Sequence, residues 1–500
     1  MQYFAGREIL SGTGYHGWTA GFWPPLFSLL IGLGSLILPG FTAGKIISIL
    51  SSAALLLVAY SFALELFQDK KIAFWSQIFI ALSPMFFFES LQAHNHMLDA
   101  LLFNTGLLLF IKSFKNPHLK SLFVVGLICG LAGLTRYTSY VLLFLPLSLY
   151  ILPLGFKNNT KFAITFWAGF ALVSLPWWYS NTVINGSPIF TLEHLNVCTG
   201  VVPGQSYGSF ASLWWCRSQS NLNSLLDIIL TYPSDYLMNL VRNIIDSGKV
   251  LVKYAGVLAP FVFPGIFMSL LSIDFKILLI LFGEFILYVL LTSQAAAESW
   301  FLLSWSVLIM IVSTMFVFWF FARAYEKYPL LRKFQMRNIS FVFLAIMGVG
   351  LVYAQVAFYG KERESISALV DLDRVTQALK DYDPDLDSKV IMATNPARAY
   401  YAGAKYLATP PEYEGPVEGL VSYRGVSDRL KTYAPKYPSN MDNSDLKADY
   451  LIYTKVPPFW QNDQDLPQYD FLLNPASDQI PDNFDLIYQS PNVVAYRILR

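Results

Sequence analysis

Ten stretches of this 500-residue chain are apolar for long enough to cross, or nearly cross, a lipid bilayer: 43–66, 72–89, 97–114, 120–134, 139–155, 162–180, 250–272, 275–293, 300–322 and 338–358. A helix needs roughly 20 such residues to traverse a hydrocarbon layer of about 30 Å, and only helices and closed barrels satisfy their backbone polar groups there. The series predicts a mostly α, polytopic transmembrane helix bundle. Composition agrees: 55% of residues are apolar and only 14% charged, where soluble domains carry roughly a quarter. A formal net charge of +1 gives no basic surface for nucleic acid, and none is expected as a partner.

Charge in the short loops orients the bundle. QDKK (68–71), KSFKNPHLK (112–120), KNNTK (157–161) and RAYEKYPLLRKFQMR (323–337) concentrate Lys and Arg, which favour the cytoplasmic side. With all four inside, the ten spans alternate without conflict. Residues 89–96, 135–138, 181–249, 294–299 and the tail after 359 then face outward. An eleventh apolar segment, 23–39, begins Trp23-Pro24-Pro25 and is rich in glycine. It reads as an interfacial or re-entrant helix; the alternative is that it spans and a later segment does not. The expected organisation is a first outer loop with that helix (1–42), a transmembrane bundle (43–358) with a large outer loop at 181–249, and a soluble domain (360–500).

The tail changes character. A helical pattern, SISALVDLDRVTQALKDY, is followed by strand-length runs KVIMAT, GLVSY, ADYLIYT, FDLIY and VVAYRIL. Apolar runs alternating with polar segments predict a small α/β domain.

Chemistry is expected at the outer boundary. In SLQAHNHMLDA (90–100), Asp99 lies just inside an apolar run, where a carboxylate is costly and usually has a role. His96 and Asp99 share a helix face at i and i+3, and His94 precedes them. Together they could hold a cation or a phosphate-bearing substrate; equally, Asp99 could be a first-turn acid favoured by the helix dipole. Two histidines are too few to assign a metal site. Arg136-Tyr137, in GLAGLTRYTSY, puts a guanidinium at an outer helix end, where it matches a lipid phosphate or merely snorkels to head groups. The opening loop, with Trp23-Pro24-Pro25, is either a roof over a cavity or a simple cap. Glu284 lies mid-span, and a protonated, helix-bonded acid is the favoured reading. Cys198 and Cys216 share the long outer loop and could pair in an oxidising compartment, although spacing alone does not show it.

Several stretches together carry a resemblance. They are YFAGREILSGTGY (3–15), WPPLF (23–27), Ser83-Pro84 followed by LDALLF (98–103), GLAGLTRYTS (130–139), and LPWWYSN (175–181) with GSP (186–188). In order and sidedness they resemble the polytopic GT-C glycosyltransferases, which include protein O-mannosyltransferases and the lipid A aminoarabinose transferase, and above all the bacterial members of glycosyltransferase family 39. The likeness is clear over roughly residues 1–190 and continues only in layout beyond.

The resemblance implies a GT-C bundle with an extracytoplasmic C-terminal domain, in a bacterial cytoplasmic membrane with its active site on the periplasmic face. It implies a donor sugar on a polyprenyl phosphate, contact with membrane lipids, and a glycan, lipid or protein acceptor. The acceptor hydroxyl attacks the sugar carbon directly, a carboxylate takes the proton, and lipid phosphate leaves. No cofactor is certain, and a divalent metal stays open. Asp99 matches the family's second outer acid, beside the donor phosphate. Arg136 matches a recurrent arginine, and Tyr3, Pro24, Pro25, His94, His96 and Tyr137 are placed with it at the donor. The family's first helix and main catalytic acid would precede Tyr3, which implies that Met1 is an internal methionine. Two departures matter. Phe22 and Trp23 occupy the Glu-Lys positions of aminoarabinose-type members, and Ser180 stands where an arginine often precedes Asn181. A transporter or scaffold, and a polysaccharide ligase or polymerase, are the competing classes. A transporter would more often show paired half-repeats, and none is visible.

Overall fold

The computed structural model of the chain describes residues 6, 9–10, 12, 22–151, 159–189, 191–204, 216, 222, 224–294, 299–327, 345–346, 348–350, 352–353, 356, 374–393, 402, 404–408, 448–454 and 467–499. It divides into two units, residues 1–192 with 236–358, and residues 193–235 with 359–500.

The first unit is a helix bundle. Helix α1 (Pro25–Gly34) starts where Pro24 is extended and Pro25 occupies the first turn, a position that needs no backbone N–H donor. Helix α2 (Gly40–Phe67) runs 28 residues and ends at Gln68 in the left-handed region, φ 54°. Asp69 then caps α3 (Lys70–Leu82) by accepting from the backbone N–H groups of Lys71 and Ile72. Pro84 cannot continue that helix, so α4 (Pro84–Leu91) leaves α3 at 62°. Ser83 at the break donates to the Tyr254 carbonyl at 3.2 Å. Helix α5 (His96–Lys115) is the most enclosed of the long apolar helices. Its last residue pairs with Glu65 of α2 at 2.6 Å.

Helices α6 (Leu119–Gly133) and α7 (Asn159–Asn185) touch backbone to backbone. A Cβ on Gly126 would lie 2.0 Å from the Phe166 carbonyl oxygen, and one on Gly169 would lie 2.2 Å from that of Phe123. Small residues at such a contact let helices approach where lipid supplies no hydrophobic drive. A 3-10 segment, Tyr137–Leu147, joins the α6 end back into the bundle. In the second unit lie α8 (Glu193–Val201) and α9 (Leu225–Thr231). Helices α10 (Pro233–Tyr254), α11 (Val262–Ser272), α12 (Phe275–Thr292) and α13 (Leu303–Lys327) follow.

Among the described residues, α2, α5, α7, α12 and α13 are long and apolar enough to cross a membrane, and counting the bent pairs α3–α4 and α10–α11 as single spans gives up to seven. Hydropathy alone gave ten. The difference has local causes. Helix α6, Leu119–Gly133, has only 15 residues, and the described part of 139–155 is largely the 3-10 segment with Pro146 inside it. Residues 250–272 contain the 119° bend between Tyr254 and Leu258, where Gly256 takes φ 56°. Residues 338–358 lie mostly outside the described residues.

In the second unit, strands β1 (Val390–Ala393), β2 (Lys405–Ala408), β3 (Tyr450–Thr454), β4 (Phe484–Gln489) and β5 (Val493–Ile498) form one sheet in the order β2-β1-β3-β5-β4. Strand β1 is parallel to β2 and β3, while β5 is antiparallel to β3 and β4. One face packs Ile391, Tyr450, Ile452, Val493 and Ala495 against Val375 and Leu379 of a helix over 374–382. The other face packs Leu451, Tyr453, Val494 and Tyr496 against Leu472. Burial on both faces explains why β3 reads as a continuous apolar run instead of an alternating one. The runs KVIMAT, ADYLIYT, FDLIY and VVAYRIL are β1, β3, β4 and β5; GLVSY lies outside the described residues, and β2 was not anticipated. Cys198 and Cys216 are joined by a disulfide, with Cα atoms 6.1 Å apart.

Candidate functional site

The first turn of α5 carries the site. Asn95 stands at its N-cap position but does not cap it; its amide instead donates to the Thr135 carbonyl at 2.8 Å. That bond ties the start of α5 to the turn after α6, where Thr135 and Arg136 donate backbone bonds to the Ala132 carbonyl. One turn into α5, Asp99 is only 1% exposed. A carboxylate so enclosed requires hydrogen-bond partners. Ser139 donates to Oδ1 at 2.5 Å and Ser304 to Oδ2 at 3.2 Å. The Arg136 guanidinium is near enough for its charge to act on both Asp99 and His96, and it lies over the Phe301 ring at 4.8 Å.

Neighbouring elements fix these partners. Asn104, one turn beyond Asp99, donates to the Ala100 and Ser304 carbonyls, at 2.8 and 2.9 Å, and so locks the start of α13 to α5. The Tyr288 hydroxyl of α12 donates to the Phe301 carbonyl, and its ring meets Phe103 and Trp305 edge-on. The proline-led α1 joins the same end of the bundle. Leu26 N–H donates to the Leu134 carbonyl at 2.9 Å, and Phe27 and Ile31 pack with Leu98. Pro24 is buried and Pro25 half-buried at that junction. Tyr137 stacks on Tyr140, which in turn stacks on Trp178 and accepts its indole N–H at 3.2 Å.

A second cluster sits at the corner between α4 and α5. Glu89, at the end of α4, is buried, and its Oε2 lies 2.7 Å from Nδ1 of His96 and 3.9 Å from Nδ1 of His94. One donor atom from each of the three lies within 4.8 Å of the others, so these residues could hold a metal ion.

The structure therefore sets Arg136 near Asp99, joins the start of α1 to the same end of the bundle through Leu26, Phe27 and Ile31, and gathers His94 and His96 around Glu89. Tyr137 belongs to the adjoining aromatic stack. Tyr3 lies outside the described residues. Ser139, Ser304 and Glu89 escaped the sequence reading. For Glu89 a signal existed, since an acid in PMFFFESL stands five and seven residues from the two histidines. For the serines there was none. Glu284 is buried, and its Oε2 has no hydrogen-bond partner among the described residues, so it is not bonded to a neighbouring helix through that atom.

Residues 23–179 match the family described as Dolichyl-phosphate-mannose-protein mannosyltransferase, a stretch that includes Pro24, Pro25, Glu89, His94, His96, Asp99, Arg136, Tyr137 and Ser139. No curated protein matches the chain. Among solved structures, ArnT from Cupriavidus metallidurans bound to undecaprenyl phosphate is similar with a TM-score of 0.58 at 12% identity, over 99% of this chain and 92% of that one. The Archaeoglobus fulgidus oligosaccharyltransferase in complex with Zn and sulfate is similar with a TM-score of 0.52 at 14% identity, over 91% of this chain and 63% of that one. These likenesses establish a GT-C fold: a membrane helix bundle with a C-terminal domain that contains a small sheet.

Proposed function

From a chain with the GT-C glycosyltransferase fold and a mannosyltransferase-family match across its first spans, we propose a membrane glycosyltransferase that takes its sugar from a polyprenyl-phosphate donor and passes it to a glycan, lipid or protein acceptor at the outer face. One observation carries this reading. A buried carboxylate, a guanidinium and the start of α1 converge at the first turn of a membrane helix, where a lipid phosphate would meet the bundle. The similar ArnT structure holds undecaprenyl phosphate, a lipid of the donor class.

The acceptor oxygen attacks the anomeric carbon. The bond from that carbon to the phosphate oxygen breaks, and its electron pair leaves with the lipid phosphate. A carboxylate accepts the acceptor's proton, and a positioned base contributes typically 10²–10⁴-fold; within residues 1–500 Asp99 is the candidate for that role, whereas the resemblance alone would set it beside the donor phosphate. Arg136 neutralises charge that grows on the departing phosphate, as a preorganised guanidinium does without reorganising in the transition state. Ser139 and Ser304 aim the carboxylate.

Asp99→Asn tests the assignment. It keeps the shape of the side chain and removes its charge. With a polyprenyl-phosphate sugar and a membrane extract as acceptor, transfer should fall about 10²-fold or more, while the protein elutes and melts as a folded species. Unchanged turnover in the folded variant removes Asp99 from the mechanism.

A further inference from the structure

We propose that Glu89, His94 and His96 form a binding site for a zinc-class divalent ion at the corner between α4 and α5. The donor set decides the class of ion. Two imidazoles and one carboxylate suit zinc and its first-row neighbours, whereas magnesium and calcium take oxygen ligands almost throughout. Three protein ligands with a fourth position open form a recurrent zinc arrangement.

The geometry fits with small side-chain movements. Ligands about 2.0–2.1 Å from a tetrahedral ion lie roughly 3.3 Å from one another. Oε2 of Glu89 is 2.7 Å from Nδ1 of His96 and 3.9 Å from Nδ1 of His94, values on either side of that spacing. The two imidazoles are already side by side, with ring centroids 5.0 Å apart. Glu89 is 2% exposed and His96 13%, while His94 is 54% exposed and leaves a path for an ion to enter. Side-chain hydrogen bonds hold the loop in place: the Ser48 hydroxyl donates to the His94 carbonyl at 3.0 Å, and the Asn95 amide donates to the Thr135 carbonyl at 2.8 Å.

Charge gives the site a purpose. With both carboxyls ionised and the histidines neutral, Glu89, Asp99 and Arg136 sum to −1. A divalent ion turns that sum to +1, which suits an anionic oxygen such as that of a phosphate at the open position. The ion would also fasten the end of α4 to the first residue of the helix that carries Asp99.

The test uses the full chain in detergent, freed of metal by chelator dialysis, with Zn²⁺ alone as probe. Equilibrium dialysis and elemental analysis should find one zinc per chain, and thermal unfolding should shift upward with added zinc. Glu89→Gln and His96→Ala should each weaken binding at least 10-fold. His118→Ala, at the start of α6, should leave it unchanged. Zinc bound well below one per chain with no thermal shift overturns the proposal, and so does stoichiometric zinc that survives both substitutions. If a variant fails to fold, the wild-type stoichiometry and thermal shift still decide. Binding is read without turnover, so its failure and a failure of the proposed transfer are distinguishable.

Discussion

Ser139 and Ser304 determine what Asp99 can do. Each donates to a different carboxylate oxygen, so the group cannot rotate, and both oxygens stay oriented relative to Arg136. Removing both hydroxyls leaves a buried carboxylate with fewer partners, and a charged group in that condition costs more than an ordinary lost hydrogen bond. The double variant Ser139→Ala/Ser304→Ala should therefore lose transfer through kcat, by roughly 10- to 100-fold at 1.4 kcal/mol per factor of ten, with less change in KM. An equal rise in KM with kcat intact would assign the serines to substrate binding instead. At this scale the sequence was half legible. Asp99 and Arg136 announced themselves because charge in an apolar run is expensive. The serines did not, because a hydroxyl can bond to its own helix anywhere in such a run. Their contacts with Asp99 span 40 and 205 residues, separations at which no local pattern exists.

Between elements, the contact of α6 with α7 positions the turn that carries Arg136. Glycine is needed at Gly126 for space, since a methyl group there would meet the Phe166 carbonyl oxygen at 2.0 Å, and backbone cannot swing aside as a flexible side chain would. Gly126→Ala should lower the thermal midpoint in detergent, with a cost of about 1–3 kcal/mol typical of overpacking. Gly283→Ala in α12 is the contrast: nothing lies within 4 Å of a Cβ there, and helix propensity favours alanine, so that variant should be neutral or slightly stabilised. Equal losses in both would mean that the α6–α7 approach is not the cause. Most of the helices were legible from hydropathy, but their breaks less so. Apolar length does not register that Pro84 bends one stretch by 62°, or that another bends at Gly256. Strand β2 escaped because four residues, Lys405–Ala408, are too short to stand out from their surroundings; pairing with β1 defines them.

For the whole molecule, the sidedness that the proposed function requires draws on two lines that share no residue. Lys and Arg concentrate in the loops at 68–71, 112–120, 157–161 and 323–337, which favours those loops on the cytoplasmic side. The disulfide between Cys198 and Cys216 belongs to the unit that also contains residues 359–500, and such bonds persist where the surroundings are oxidising. The proposed function requires residues 360–500 on the outer face, and, separately, residues 89–96 on that face. A fusion of alkaline phosphatase after Arg500 should then be active in intact cells, because that enzyme requires export to form its own disulfides. Fusion at residue 116, between Lys112 and Lys120, should be inactive. In the same cells a thiol-reactive probe should label Cys198 and Cys216 only after reduction. The opposite fusion pattern would place Asp99 and Arg136 on the cytoplasmic leaflet, and the proposed reaction would then have to draw its donor from that side of the membrane. An outer C-terminus with freely labelled cysteines would keep the orientation and remove the disulfide from the argument, leaving the charge of the loops to carry it alone.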